Sequence, residues 1–551
     1  MDERKKSFRQ ALQDMNCTKF IQLFEDNGFS TYLDQHDNQQ YTLLVPPDHT
    51  MDESLIAKNE LKDWLMYHVL DKPYAEKELV DNQLLMTEAG ETFLGKGAKQ
   101  RLRVQVTNQD QLVIGPTKKS IQFGNTQTAS APEYVDKQGY VYPVDEALQL
   151  PGDLMHQLPT HLDLSTFVAS MFASKTIDMI QLQRGITLFA PTNAAFERLG
   201  LVTKYFLHPK HKSELAHLLR FHTVHGVYYQ DSWTDGEQSL PTMSQRHGQI
   251  DQLHINKTVD GSIYVRGHGA LDGNDASVIA RVVARETLMR NGVMHRIDRV
   301  QMPKSLIFTH KDILAASGCC NGFLDVMEKA GLMPLLDRPT ASLDAKAYTV
   351  LAPNDRAFAK LNLTRLLQDT SLLERVARLH MIPAAMPATR LPAPSDGHHH
   401  KKKKEADKKH DSLVLPTMHD EHSVVLKRAD DAEYYDEVHV QGFSQDRADV
   451  VTTGRVTNGG GVLVIDQVLL PEQDFDHGLP WWQVLLIAAL VLMFFAILGA
   501  VAYYIWKRWQ AYRDGYARIE DQPNPDTVDE EANHEPQQRQ PPQDSDDDNI
   551  A

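Results

Sequence analysis

Three aspartates and three histidines return at matching places along this 551-residue chain, and one pair of cysteines stands side by side. Asp145, Asp298 and Asp466 sit inside the related phrases "GYVYPVDEALQLP", "NGVMHRIDRVQMP" and "GGVLVIDQVLLP". A carboxylate can serve as general acid or base, but it needs a second titratable group whose environment pushes the two pKa values apart. No such partner recurs at a fixed spacing from these three. They are therefore expected to be structural, accepting hydrogen bonds from nearby backbone donors. His68, His222 and His380 close helical runs rich in apolar residues, "WLMYHVL", "LRFHTV" and "RLHMIP". Each is either a satisfied, half-buried imidazole or a contact residue. Cys319 and Cys320 lie in "ILAASGCCNGFLDVMEKAGL", which reads as helical, and Cys17 is the third cysteine. Three cysteines with no Cys-x-x-Cys cannot make a disulfide framework. The pair is read as small buried residues, with a redox or metal role as the alternative.

Other chemistry is hard to place. The chain has no Gly-x-Ser-x-Gly elbow, P-loop or His-Glu-x-x-His. "RGHGALDG" misses the dinucleotide pattern because Asp272 takes the place of the third glycine. The tract from His398 to His410 mixes histidine with lysine, and the ammonium charges oppose metal binding. That tract is expected to be a solvated loop insertion. No catalytic, cofactor-binding or metal-binding residue is assigned, and an enzyme is not expected. A net charge of −17 argues against a general nucleic-acid binder, since no basic face survives to neutralise phosphates. Hydrophobic and charged fractions of 42% and 24% are those of globular protein.

The elements that would position these residues come in threes. "TLLVPPDHTMDESL" starts at Thr42, "TLFAPTNAAFERLG" at Thr187 and "TVLAPNDRAFAKLN" at Thr349, a period of roughly 145 to 160 residues. The closing phrases end at Pro151, Pro303 and Pro471, about 105 to 120 residues after each opening. A period this long marks domains rather than a solenoid. Each opening phrase is β-rich and ends at a proline that cannot continue a ladder, so it predicts a buried strand leaving a sheet. Asp48, Asn193 and Asp355 come next and suit the N-cap of a following helix. Phe196 with Leu199, and Phe358 with Leu361, then begin an apolar face. Helical runs such as "SELAHLLRFHTV" and strands such as "GSIYVRG" fill the interval, which implies an α+β unit.

The two phrases resemble the two sequence boxes of the fasciclin (FAS1) domain, closely from Thr187 to Phe196 and from Asn291 to Pro303. The resemblance runs from about Lys6 to Pro471. It implies three tandem domains, each a β-sandwich or wedge decorated by helices, at 5–151, 161–303 and 309–471, the last with a His/Lys-rich insertion at 395–411. Domain one departs from the pattern, with Met51 where a phenylalanine is expected. The family also carries a Tyr-His pair, intact here as Tyr67 and His68 but replaced by Phe221–His222 and Leu379–His380. By resemblance to animal fasciclin domains, Tyr67, His68, His222 and His380 become adhesion candidates. The implied function is cell adhesion or tethering through protein or glycan ligands, by weak modules whose linkage raises avidity.

One segment sets the cellular class. Val484 to Ile505 holds about 22 residues without a charge, enough helix to cross a bilayer, with Trp481, Trp482, Tyr503, Tyr504, Trp506 and Trp509 at its edges. Lys507, Arg508, Arg513 and Arg518 follow it, whereas Glu472, Asp474 and Asp476 precede it. The positive-inside bias predicts a single-pass protein with a cytosolic tail and extracytoplasmic repeats. "MDERKKSFRQAL" is no signal sequence, so a start upstream of Met1 is the favoured reading. The tail, 507–551, carries 12 acidic against 5 basic residues and is expected to be disordered. Tyr516 to Ile519, "YARI", resembles a sorting signal for a clathrin adaptor. Sequons stand at Asn16, Asn256 and Asn362, of which Asn256 and Asn362 are expected to carry glycan. Cell surface and vacuolar or lysosomal membrane are both open, with a receptor or sorting adaptor signalling through its tail as the alternative function.

Overall fold

The computed structural model describes residues 6–34, 39–109, 118–135, 137–267, 279–337, 347–361, 363–387, 411–429, 434–443, 447–456, 460–470 and 481–517. The chain divides into two units, Met1–Asp474 and Phe475–Ala551. The insertion at 395–410 and the sequon asparagine Asn362 lie outside the described residues.

Within the first unit the three opening phrases form the strands Tyr41–Val45, Ile186–Pro191 and Thr349–Pro353, each buried almost throughout. The closing phrases form Gly139–Pro143, Gly292–Ile297 and Gly461–Ile465. Each opening strand pairs in parallel with its closing strand, in one register: Thr42 opposite Tyr140, Thr187 opposite Val293, Thr349 opposite Gly461. On its other edge it pairs antiparallel with the short strand after the repeat's histidine, Val69–Leu70, Thr223–His225 or Met381–Ile382. A strand with partners on both sides and helices over its face has no solvent side, hence the unbroken apolar runs.

Around this shared centre the sheets differ. Among the described residues, the first repeat has two four-stranded sheets, the second a single eight-stranded sheet and the third a seven-stranded one. Each repeat keeps its own apolar core, around Phe20, Trp64 and Tyr142 in the first, Phe189, Phe221 and Trp233 in the second, and Leu379, Leu426 and Ile465 in the third. The mixed helix-and-sheet repeats match the α+β expectation.

The expected helix caps need correction. Thr192 and Asn354 cap the helices Asn193–Arg198 and Asp355–Ala359, accepting from Ala195 N–H at 3.3 Å and Ala357 N–H at 2.8 Å. Asn193 and Asp355 reach elsewhere, to the first turn of an earlier helix. Asn193 Oδ1 accepts from Thr166 N–H at 2.9 Å, on helix Ser165–Ser174, and Asp355 Oδ1 accepts from Gly322 N–H at 2.8 Å, on helix Asn321–Lys329. Asp48 does the same for helix Thr18–Asp26, through Lys19 N–H at 2.9 Å. A residue inside its own helix projects outward, so its carboxyl or amide oxygen meets orphan donors of a neighbouring helix instead. Where Pro47 replaces the capping residue, the first repeat has only the short 3₁₀ turns Asp48–Thr50 and Glu53–Leu55. Met51 still fills the anchor site, buried like Phe196 and Phe358.

The second unit contains one long helix, Trp481–Ala517. Its stretch Leu485–Ala511 contains an 18-residue window of mean hydropathy 2.9 and is long and apolar enough to cross a membrane. At 37 residues the helix spans about 55 Å, well beyond a ~30 Å hydrocarbon core. It therefore runs through Lys507, Arg508 and Arg513, where the disordered tail was expected to begin. Tyr516 lies in its last turn, so its backbone is helical and not extended as the adaptor reading assumed. Ile519 lies outside the described residues.

The close strand register makes a prediction. A Cβ at Gly292 would run into the Ile186 carbonyl oxygen. Gly292→Ala should cost about 1–3 kcal/mol, the scale of overpacking. Hydrogen exchange read repeat by repeat should show lost protection in the second repeat and little change in the first.

Candidate functional site

The three recurrent histidines occupy one construction, repeated. Each ends its helix, Leu61–Met66, Lys212–Phe221 or Thr370–Leu379. Nδ1 lies 2.9 Å from Trp64 O, 2.8 Å from Leu218 O and 2.7 Å from Val376 O, one helical turn back in each case. Nε2 accepts the backbone N–H of Leu148, Gln301 and Leu469 at 2.9, 3.0 and 3.1 Å, just beyond each closing strand. A carbonyl on one nitrogen and an N–H on the other leave a single neutral tautomer, protonated at Nδ1. The histidine carbonyl in turn accepts from Leu44, Phe189 or Leu351 N–H of the opening strand, each at 2.9 Å. Helix, opening strand and closing segment thus meet on one residue.

All three imidazoles are buried, and burial pushes each pKa down from 6.5 to about 4. Tyr67 is buried as well, its hydroxyl donating to Arg101 O at 3.1 Å. Phe221 and Leu379 fill the same core position with no polar group to satisfy. Tyr67, His68, His222 and His380 therefore present no surface to a partner; their place is structural, and the variation beside the histidine is a change of core filling. The recurrent aspartates are bonded to backbone: Asp298 Oδ1 accepts from Arg281 N–H at 2.7 Å and Asp466 Oδ1 from Asp449 N–H at 2.8 Å. Asp145 N–H donates to Gln127 O at 3.0 Å. The opening threonines are matched too. Thr42, Thr187 and Thr349 hydroxyls donate to Lys72 O, Gly226 O and Ala384 O at 2.9, 2.8 and 3.0 Å.

One set of hydrogen bonds is thus built three times along the chain. A fasciclin domain model matches residues 15–151, 162–303 and 318–471, most of the chain. The chain belongs to the fasciclin domain family. It is 29% identical over 195 residues to Aurofusarin biosynthesis cluster protein S of Gibberella zeae, covering 32% of this chain and 48% of that protein. It is 27% identical over 249 residues to human periostin, covering 44% of this chain and 26% of periostin. The matched segments thus span less than half of either relative. Among solved structures, a FAS1 domain pair from the insect cell adhesion molecule Fasciclin I aligns over 55% of this chain and 99% of its own, at 17% identity and a TM-score of 0.28.

The fasciclin repeats contact one another directly. Between the first and second, Gln100 donates to Met289 O and accepts from the Tyr229 hydroxyl, both at 2.9 Å, and Arg290 pairs with Glu60 at 2.7 Å. Between the second and third, helix Leu201–Leu207 packs on helix His310–Ser317, and Tyr434 donates to Arg198 O at 3.2 Å. A cavity of about 90 Å³ remains there, lined by Leu199, Val202, Phe308, Met386 and Tyr434 among others.

Sequence reasoning missed a polar cluster spread over a helix, two strands and the segment after the second closing phrase. Ser305 Oγ lies 2.6 Å from His217 Nε2 and donates to Asp251 Oδ2 at 2.6 Å, while Ser244 donates to the same oxygen at 2.7 Å. A nucleophilic serine needs a base oriented by a carboxylate on its far nitrogen. Here the carboxylate takes both hydroxyls itself, so the cluster pins the segment leading to the third repeat onto the second. No fixed spacing announces such a set, since its four members come from separate elements. Among the described residues no three His, Cys, Asp or Glu side chains gather as metal ligands.

Acid should loosen the clip. The unfolded chain protonates these imidazoles near 6.5 and the folded chain only near 4, so stability present above pH 6.5 is lost as pH falls toward 4. Each histidine contributes up to about 1.4 kcal/mol per pH unit across that window. Denaturant midpoints measured from pH 7 to pH 4 should fall accordingly, and His222→Gln should flatten the response in the second repeat alone.

Proposed function

We propose that this chain is a single-pass membrane protein that displays three fasciclin repeats on the extracytoplasmic side, for adhesion or tethering through protein or glycan contacts. The observation that carries the reading is the chain order: three mutually bonded repeats, followed by one helix long and apolar enough to cross a bilayer. Direct contacts between repeats support presentation as a set, in which several weak sites act together. Burial of His68, His222 and His380 supports a contact surface elsewhere on the repeats. The flanking charges, acidic before the helix and basic after it, support a cytosolic C-terminus.

Protease protection tests the sidedness. With the chain in sealed vesicles and a tag on Ala551, protease added outside should remove the tag and spare the repeats; digestion of the repeats would overturn the topology. Cells expressing the full chain should cluster more than cells expressing a chain that lacks the repeats but keeps the apolar helix. Asn16 and Asn256 are exposed, the latter on strand Gln249–Lys257, so both are open to glycan on that side. Glycosidase should increase gel mobility, and Asn256→Gln should remove one step of that shift.

A further inference from the structure

The cysteine pair does not sit inside one helix as its sequence suggested. Helix His310–Ser317 stops at Gly318, which takes a left-handed conformation at φ +62, and a second helix starts at Asn321. Cys319 and Cys320 fill the break. It is held open by the third opening phrase: Asp355 N–H donates to Cys319 O at 2.8 Å, and its carboxylate accepts from Gly322 N–H at 2.8 Å and from the Asn321 side chain at 3.1 Å. The two sulfurs are 3.2 Å apart, and the Ser317 hydroxyl lies 3.2 Å from Cys319 Sγ. Cys319 is half-buried whereas Cys320 is fully buried. Neither is in a disulfide.

The surroundings separate the two thiols. The Cys320 S–H donor, the Ser317 hydroxyl and the Lys204 ammonium, on the facing helix of the second repeat, favour a thiolate at Cys319, against burial and the Asp355 carboxylate. The balance brings its pKa down to about 6. Cys320 is pushed up by the same contact and by burial, and stays protonated. Cys17, buried and near Asp48, is pushed up to about 11.

We infer that Cys319 and Cys320 are a vicinal dithiol that reduces hydroperoxides, with Cys319 as the attacking thiolate and Cys320 as the resolving thiol. The Cys319 thiolate attacks one oxygen of hydrogen peroxide; the O–O bond breaks, Cys319 becomes a sulfenic acid and hydroxide leaves as water after taking a proton. Cys320 then gives up its proton and its sulfur attacks Cys319 sulfur. The S–O bond breaks, the disulfide forms and a second water departs. Two thiols and one peroxide yield one disulfide and two waters, and a small thiol reverses the change by exchange. Because Lys204 belongs to the second repeat, the oxidation state would be felt where the second and third repeats meet. The inference is independent of which membrane carries the chain.

The test uses the full chain in detergent, first reduced and then exposed to hydrogen peroxide over a range of doses. Mass spectrometry of the alkylated peptide spanning 319–320 should show loss of two hydrogens, reversed by dithiothreitol, with Cys17 unchanged as internal control. Cys320→Ser should leave a sulfenic acid on Cys319 that a dimedone probe captures. On the unoxidised wild type, Cys319 alkylation should rise about fivefold from pH 5 to pH 6 and flatten above pH 7, whereas an ordinary thiol keeps gaining to about pH 9. The proposal is overturned if Cys319 follows the ordinary-thiol profile, or if peroxide drives it to sulfinic acid with no disulfide. Both wild-type readouts, the disulfide on 319–320 and the alkylation profile, test the proposal even where a cysteine variant does not fold.

Discussion

A neutral imidazole that must satisfy two nitrogens inside the dry core is the constraint on which each repeat is organised. Its Nδ1–H ends a helix, its Nε2 receives the chain just past the closing strand, and its carbonyl receives the opening strand. Removing one partner would strand buried polar groups, which costs more than the bond itself contributes. That asymmetry accounts for the persistence of histidine in all three repeats while its neighbour changes among Tyr67, Phe221 and Leu379. The neighbour needs only volume.

The same logic runs through the rest of the repeat. Opening threonine, parallel register, glycine at the close approach and carboxylate or amide over a neighbouring helix all join segments that lie far apart in sequence. Contacts of this kind are cooperative, because each presupposes the others' geometry. The sheets outside this centre are free to differ, from two four-stranded sheets to one of eight. The repeats themselves are then coupled by buried polar contacts such as Gln100 with Met289 and Tyr229, so the surfaces they carry are presented together.

Much of this was legible in the chain because local chemistry and long-range fold agree in the opening phrase. "TLFAP" predicts a buried strand stopped by proline, and Ile186–Pro191 is that strand. The anchor residues Phe196 and Phe358 are buried as expected, and two of the recurrent aspartates, Asp298 and Asp466, accept from backbone donors. Reading failed where a residue's partner lies outside its own segment. Asn193 and Asp355 look like caps for the helices they begin, yet they serve helices that come earlier. The cysteine segment looks like one helix because its apolar spacing continues across Gly318, and the break shows in the left-handed Gly318 and the Asp355 bonds.

By itself, then, the sequence determined the repeat count, the strand–proline–helix phrase, the buried character of each core position and one apolar span. These follow from composition, period and the limits of proline and glycine backbone, all properties of a residue and its near neighbours. Tertiary structure alone decided which helix each polar side chain caps, which tautomer the histidines hold and whether Tyr67 faces a partner or the core. It also brought Ser305 to His217 and Asp251, and Lys204 to Cys319. Those outcomes depend on distances between segments far apart in the chain, which no local pattern encodes.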